Sequence, residues 1–185
     1  MFKIIGPHGQ RSLILNTKES TCPSPIRVLG IDPGLGGGMV ILNGRKDVKE
    51  KLPFKKTKES GNLNCIEIHE FLQNKTIDHV YLEKVHALPN VGAGSSFKFG
   101  IAFGQIQAIL ELNRLKYKLV SPKRWQSSYP AMQKDLKPKE RALLNAKREF
   151  PGCDLRKSTR ARVWNDGLVD AALIALYGLK DIGVL

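Results

Sequence analysis

From Arg27 onward the apolar positions come in short runs of strand length. "RVLGID", "GMVILN" and "DVKEKL" read as three consecutive strands, and the turn "NGRKD" makes an antiparallel hairpin of the last two. A polar loop over residues 53–61 then leads into a helix at about 63–74. "IDHVYLE" is a fourth strand, a long helix follows at about 95–115, and "YKLVSP" is a fifth strand. A basic stretch, a helix at 138–150, a basic loop and a last helix at about 165–179 complete the chain. The order βββαβαβαα predicts an α/β domain. Its five-stranded mixed sheet has three antiparallel strands, then parallel ones, with helices on its faces.

The long helix departs from ordinary amphipathic patterning. Ile101, Ala102, Phe103, Ile106, Ala108, Ile109, Leu110 and Leu112 make it apolar nearly all round, so it needs cover on two sides. One side faces the sheet. On the other, Gly100, Gly104 and Ala108 form a small-residue stripe that permits close approach. A twofold homodimer explains it economically, and a covering helix from the same chain is the alternative.

The 185 residues suffice for one domain with a sizeable core. Residues 1–25 read as an N-terminal extension, a small hairpin in "KIIGPHGQRSLIL" followed by the linker "STCPSP"; the domain proper spans 26–185. No run approaches the length of a membrane span. Cys22, Cys65 and Cys153 lack metal spacing and read as free thiols in a reducing compartment. That means the cytoplasm, or the host cytoplasm for a phage-encoded protein. An N-terminus poor in acids leaves an organellar transit peptide as the alternative. Thirty Lys and Arg against seventeen Asp and Glu give a net charge of +13, which points to a polyanionic partner, nucleic acid above all.

Four carboxylates stand apart from this basic background because each lies in or beside an apolar segment. Asp32 ends the first strand, in "VLGIDPGLGGGMVIL". Glu83 ends the fourth, in "VYLEKVH". Asp166 and Asp170 lie four apart, on one face of the last helix, in "WNDGLVDAALIAL". Gathered together they would repel, and a hard divalent cation would relieve that cost. Mg²⁺ or Mn²⁺ takes oxygen ligands, and a pair of ions clamps both the attacking and the leaving oxygen of a phosphodiester. The glycines after Asp32 would let backbone approach the metals or the phosphate. The structural alternatives are Asp32 as a turn cap, Asp166 as a helix N-cap, and Glu83 paired with Lys84 or a distant Arg. His86, three residues after Glu83, reads as structural or exposed.

Taken in order, "VLGIDPGLGGGMVIL", "VYLEKVHALPN", "SSFKFGIAFGQIQAIL" and "WNDGLVDAALIALYG" resemble the RuvC-like Holliday junction resolvases of the RNase H-like superfamily, over about residues 27–180. The resemblance implies that Asp32, Glu83, Asp166 and Asp170 are ligands of two Mg²⁺ or Mn²⁺ ions. It implies a homodimer that cuts opposed strands of a four-way DNA junction, leaving 5′-phosphates, with no small-molecule cofactor. Bacterial members commonly space the final acidic pair by three residues. Here the spacing is four, with Gly167 at the three-apart position. That pattern and "SPKRWQ" look like the phage and organellar branch. The glycine-rich turn is also similar to the first phosphate loop of actin-like and Hsp70-type ATPases, which need a second such domain for which this chain has no room. Another RNase H-like nuclease, for flaps, forks or RNA–DNA hybrids, and a non-catalytic junction-binding protein are the alternative functions.

Residues 116–162 hold fourteen Lys or Arg and four acids. Lys123, Arg124, Lys134, Lys139, Arg156, Lys157 and Arg160 are the candidate phosphate contacts. Trp125, inside "KRWQSSY", reads either as a platform for an exposed base or as core packing at the strand end. Phe97 and Lys98 begin the long helix. By resemblance, Phe97 or Phe99 is a wedge into the junction; the other reading is a hydrophobic staple.

Overall fold

The computed structural model describes residues 25–85, 92–130 and 135–185. The strands are β1 (Arg27–Asp32), β2 (Gly38–Asn43), β3 (Val48–Pro53), β4 (His79–Glu83) and β5 (Tyr117–Val120). The helices are α1 (Cys65–Leu72), α2 (Ala93–Leu112), α3 (Pro122–Gln126), α4 (Pro138–Glu149) and α5 (Asp166–Asp181). The five strands form one sheet in the order β3-β2-β1-β4-β5. β1 with β2 and β2 with β3 are antiparallel; β4 joins the free edge of β1 in parallel, and β5 extends the sheet in parallel. This is the mixed sheet expected from the strand order. The addition is α3, a short helix inside the basic stretch. Pro122 opens it, where its fixed φ suits the helix and its missing N–H has no intrahelical partner to lose.

Alternation along β1 divides the core into two layers. Leu29 and Ile31 join Ile68, Leu72, Ala102 and Ile106 under α1 and α2. Val28 joins Leu173, Ala175 and Leu176 of α5 on the opposite face. Gly30 lies on the α5 face as well, and a methyl group there would collide with the Ala171 carbonyl and the Ala175 backbone. The missing side chain is what lets α5 lie directly on β1. From Gly167 to Leu179, Asp170 is the one α5 residue that is not buried.

The hairpin between β2 and β3 is organised by a side chain as much as by its glycine. Asn43 Oδ1 accepts from the Arg45 and Asp47 amides at 3.0 and 2.9 Å, and the positive φ falls on Lys46. On α2, Gly100 and Gly104 have open space where a Cβ would be, and Leu112 is 79% exposed. Among the described residues no helix of this chain covers that face. Cys65 and Cys153 are free thiols, and no described helix is long and apolar enough to cross a membrane. The hairpin in the N-terminal extension, Cys22, His86 and Lys134 lie outside the described residues.

Candidate functional site

The parallel register brings two carboxylates together. Ile31 pairs with Leu82, so the next residues, Asp32 and Glu83, end adjacent strands side by side. Their backbones are about 5 Å apart in the hydrogen-bonding direction. Tyr81 belongs to the α5-facing layer, as Val28 does, and strand alternation puts Glu83 and Asp32 on that same face. The first turns of α5 present Asp170 to them. Burial and repulsion by Asp32, Glu83 and Asp166 push the Asp170 carboxyl up to about 8, with Lys139 the one cation opposing. Burial pushes Glu83 up to about 7; a hydrogen bond from Trp125 pulls it down and the charge of Asp32 pushes it further up. Asp32 is raised mainly by burial, against the pull of the Gly34 amide and Lys139. Asp170 thus feels the charge of the other three acids, and Glu83 feels that of Asp32, its neighbour at the strand ends.

Each acid is held differently. Asp32 Oδ1 accepts from the Gly34 amide at 3.1 Å, so it does cap the turn, yet only one oxygen is used. Glu83 Oε1 accepts from the Trp125 indole at 2.9 Å, so the expected alternative partners, Lys84 or an Arg, are not those it takes. Asp170 has no hydrogen-bond or ion-pair partner among the described residues. Asp166 is the outlier: its side chain is 63% exposed and pairs with Lys139 Nζ at 2.9 Å. It is not the helix cap, because Asn165 accepts from the Leu168 amide in that role at 3.0 Å.

The glycines serve packing first. A Cβ on Gly167 would overlap Gly37 Cα and the Gly36 carbonyl, so the turn after β1 rests directly on the start of α5. Gly37 is itself closed in by the Asp32 and Gly34 carbonyls. An acid at the three-apart position, residue 167, would have nowhere to go. The expectation that these glycines chiefly admit metal or phosphate is thereby narrowed to Gly36, which has open space around it, and Gly34, whose closest neighbour is Asp32 Oδ1.

Among the described residues no three acid, His or Cys side chains converge as a ready ligand set for one ion. Mg²⁺ does not require one, since it takes one or two carboxylates and completes its shell with water and phosphate. Asp32, Glu83 and Asp170 offer hard oxygen donors, with Lys139 the one countercharge acting on Asp32 and Asp170 among the described residues. The donor set fits a divalent cation in chemistry and in charge.

The surroundings sort the remaining candidates. Lys98, Lys123, Lys157 and Arg160 are exposed, and Phe97 is 70% exposed at the start of α2, which excludes the staple reading for it. Phe99 instead reaches the glycine turn at Gly34. Arg124 is exposed, 3.8 Å from Asp181. Two expectations need correction. Trp125 is buried, packed in the core with Tyr129 and Leu173, so it has no free face for a base. Arg156 spends its guanidinium on Asp154, at 2.9 and 3.1 Å, and on the Ala161 carbonyl, bracing its own loop. Beside the acids, a cleft of about 500 Å³ is lined by Tyr129, Lys139, Arg141, Asn145 and Asp170 among others. Sequence reasoning missed the tie between Trp125 and Glu83. Its signal was Trp125 lying one short turn beyond the strand that pairs with that of Glu83.

No family model and no curated protein sequence matches the chain. Its fold is similar to that of a Thermus thermophilus RuvC structure described as a complex with Holliday junction substrate. The TM-score is 0.61 at 16% identity, covering 86% of this chain and 97% of that one. A second Thermus thermophilus RuvC structure matches with a TM-score of 0.55, again at 16% identity, covering 85% and 97%. At that identity the likeness establishes the architecture: the chain has a RuvC-type α/β fold.

Proposed function

We propose that this RuvC-type domain is a divalent-metal-dependent, structure-selective DNA endonuclease that resolves four-way junctions by paired phosphodiester hydrolysis, acting as a homodimer. The observation that carries the reading is the electrostatic coupling of Asp32, Glu83 and Asp170, three carboxylates on one face of the sheet, with Lys139 the one cation among the described residues that offsets Asp32 and Asp170. The match to RuvC bound to a junction supports the substrate class. The bound ions, Mg²⁺ or Mn²⁺, would supply water activation and a clamp on the leaving oxygen.

The chain's own residues do the rest. Asp32, Glu83 and Asp170 would hold the ions, and Asp166 stands beside them on the open side. Lys139, which now pairs with Asp166, is placed to take a phosphate oxygen when DNA arrives. The cleft next to Asp170 gives a nucleotide of the bound strand room beside the acids, with Lys139 and Arg141 on its wall. Exposed Lys98, Lys123, Lys157 and Arg160 would contact phosphates and orient the arms. Phe97, exposed at the start of α2, would enter the branch point. The uncovered Gly100, Gly104 and Ala108 stripe is the proposed dimer face, and two copies would present two sites to opposed strands.

The test is cleavage of a synthetic four-way junction with Mg²⁺ or Mn²⁺, alongside linear duplex and an RNA–DNA hybrid. Asp32→Asn and Glu83→Gln should each lower the rate at least 10²-fold while junction affinity in EDTA is unchanged or tighter. Wild-type protein that spares the junction in metal, or Asp32→Asn protein that cuts at the wild-type rate, refutes the reading.

A further inference from the structure

We propose that Trp125 is a positioning residue for Glu83: its indole N–H fixes one carboxylate oxygen so that the other is presented to the divalent ion. The inference rests on the metal-dependent reading above. Trp125 Nε1 donates to Glu83 Oε1 at 2.9 Å. An indole has one N–H and no acceptor, so it binds one oxygen and leaves Oε2 free.

The donor is itself immobile. Trp125 is 2% exposed, within a core cluster that includes Val120, Tyr129 and Ala146. Its backbone is tied on both sides. The amide donates to the Ser121 carbonyl at 3.3 Å, and its carbonyl accepts from Ser128 Oγ at 2.6 Å. Pro122 starts the α3 turn that carries it. Glu83 has no comparable restraint of its own. It sits at a strand end beside the like charge of Asp32, and a free glutamate there would swing toward solvent.

The donor is also neutral. A Lys or Arg in this place would hold the carboxylate by cancelling its charge, and would compete with the cation. An indole fixes the oxygen and leaves the anion's charge available. Asp166 shows the contrast, since its partner is the ammonium of Lys139. The rival explanation is that Glu83 merely satisfies a buried indole N–H.

Mn²⁺ binding to the metal-free, full-length protein separates the two, read from the signal of free Mn²⁺ by electron paramagnetic resonance. Trp125→Phe keeps the ring and removes the N–H. It should weaken Mn²⁺ binding roughly 10–100-fold, the usual effect of losing a partner that orients a metal ligand, with junction affinity in EDTA unchanged. In a Glu83→Gln background the same substitution should change Mn²⁺ affinity no further. Unchanged affinity in Trp125→Phe, or an equal loss in both backgrounds, overturns the inference while the metal reading stands. Wild-type protein that binds no Mn²⁺ overturns both. A second measurement does not depend on that variant folding. The sequence has two tryptophans, so Trp164→Phe leaves Trp125 as the sole tryptophan, excited selectively on the red edge beyond tyrosine absorption. Mg²⁺ should then shift its emission, and Glu83→Gln should abolish the shift. A flat Mg²⁺ titration in protein that binds Mn²⁺ overturns the inference.

Discussion

Asp170→Asn should make the metal-free protein more stable, and the gain should grow with pH. The wild-type carboxyl has an ordinary value of 3.8 and is pushed up to about 8 by burial and by three neighbouring acids. The folded state therefore holds this proton more tightly than the unfolded chain. Stability falls as pH rises from about 4 toward 8, because the unfolded chain releases the proton first. A displacement of about four units is worth on the order of 5 kcal/mol once pH reaches 8. The amide in the variant carries no charge but is itself partly buried, at a cost of about 1–3 kcal/mol. The net gain is about 3 kcal/mol at pH 8 and near zero at pH 5, where the wild-type group is still protonated.

For a chain of this length that is a rise in Tm of roughly 6–12 °C at pH 8. Thermal unfolding followed by circular dichroism in EDTA at pH 5 and pH 8 measures it. Mg²⁺ or Mn²⁺ should reverse the order, because the ion stabilises the protein whose carboxylates bind it. An Asp170→Asn protein whose Tm in EDTA equals that of wild type at pH 8 would refute the reasoning. The four acids would then not be a strained group awaiting a cation.

Junction binding should be strongly salt-dependent: with six to ten phosphates neutralised, affinity falls about 10³–10⁵-fold between 50 and 200 mM salt, measured by fluorescence anisotropy. A flat response would remove the role given to Lys98, Lys123, Lys157 and Arg160. Gly104→Leu adds bulk where the chain has open space, so sedimentation should show monomer with native circular dichroism; a variant that stays dimeric places the interface elsewhere. Gly167→Ala should cost about 1–3 kcal/mol in urea unfolding, because its methyl meets backbone at Gly36 and Gly37 rather than a side chain that can turn away.

The fold was largely legible because local pattern and tertiary placement agree. β1 and β2 were bounded by the apolar runs "RVLGID" and "GMVILN", and four helices fell within a few residues of their observed ends. The four acids stood out in the sequence for a different reason: a carboxylate in or beside an apolar segment has no cheap explanation, although Asp166 turns out to be exposed and ion-paired. What the sequence hid were relations between distant side chains. Trp125 was ambiguous because an aromatic among lysines looks the same whether it faces a base or a glutamate 42 positions earlier. Arg156 counted as a free cation because composition does not show that Asp154, two residues before it, takes its guanidinium. Helix α3 was hidden because five residues are too few to show a period.

The four-residue spacing of the last acidic pair follows from the same contact that explains the glycines. Helix α5 must come close to β1 to carry Asp170 to Asp32 and Glu83, and Gly30 allows that approach along its middle. At its start the obstacle is the turn after β1, which folds back over the helix, its Gly37 amide donating to the Gly34 carbonyl at 2.8 Å. Two backbones can touch there only if neither carries a side chain, hence Gly37 against Gly167. With position 167 closed, the next place on the same helical face for a second acid is 166, one turn back from 170. That position lies outside the packed contact, which is why Asp166 is exposed and forms the ion pair with Lys139, whereas Asp170 is half-buried and feels that lysine only through its charge. The turn glycines and the spacing of the acids are thus two consequences of one close approach, and the pair is unequal by construction: Asp170 is half-buried and has no hydrogen-bond or ion-pair partner among the described residues, and Asp166 is the group's solvent-facing edge.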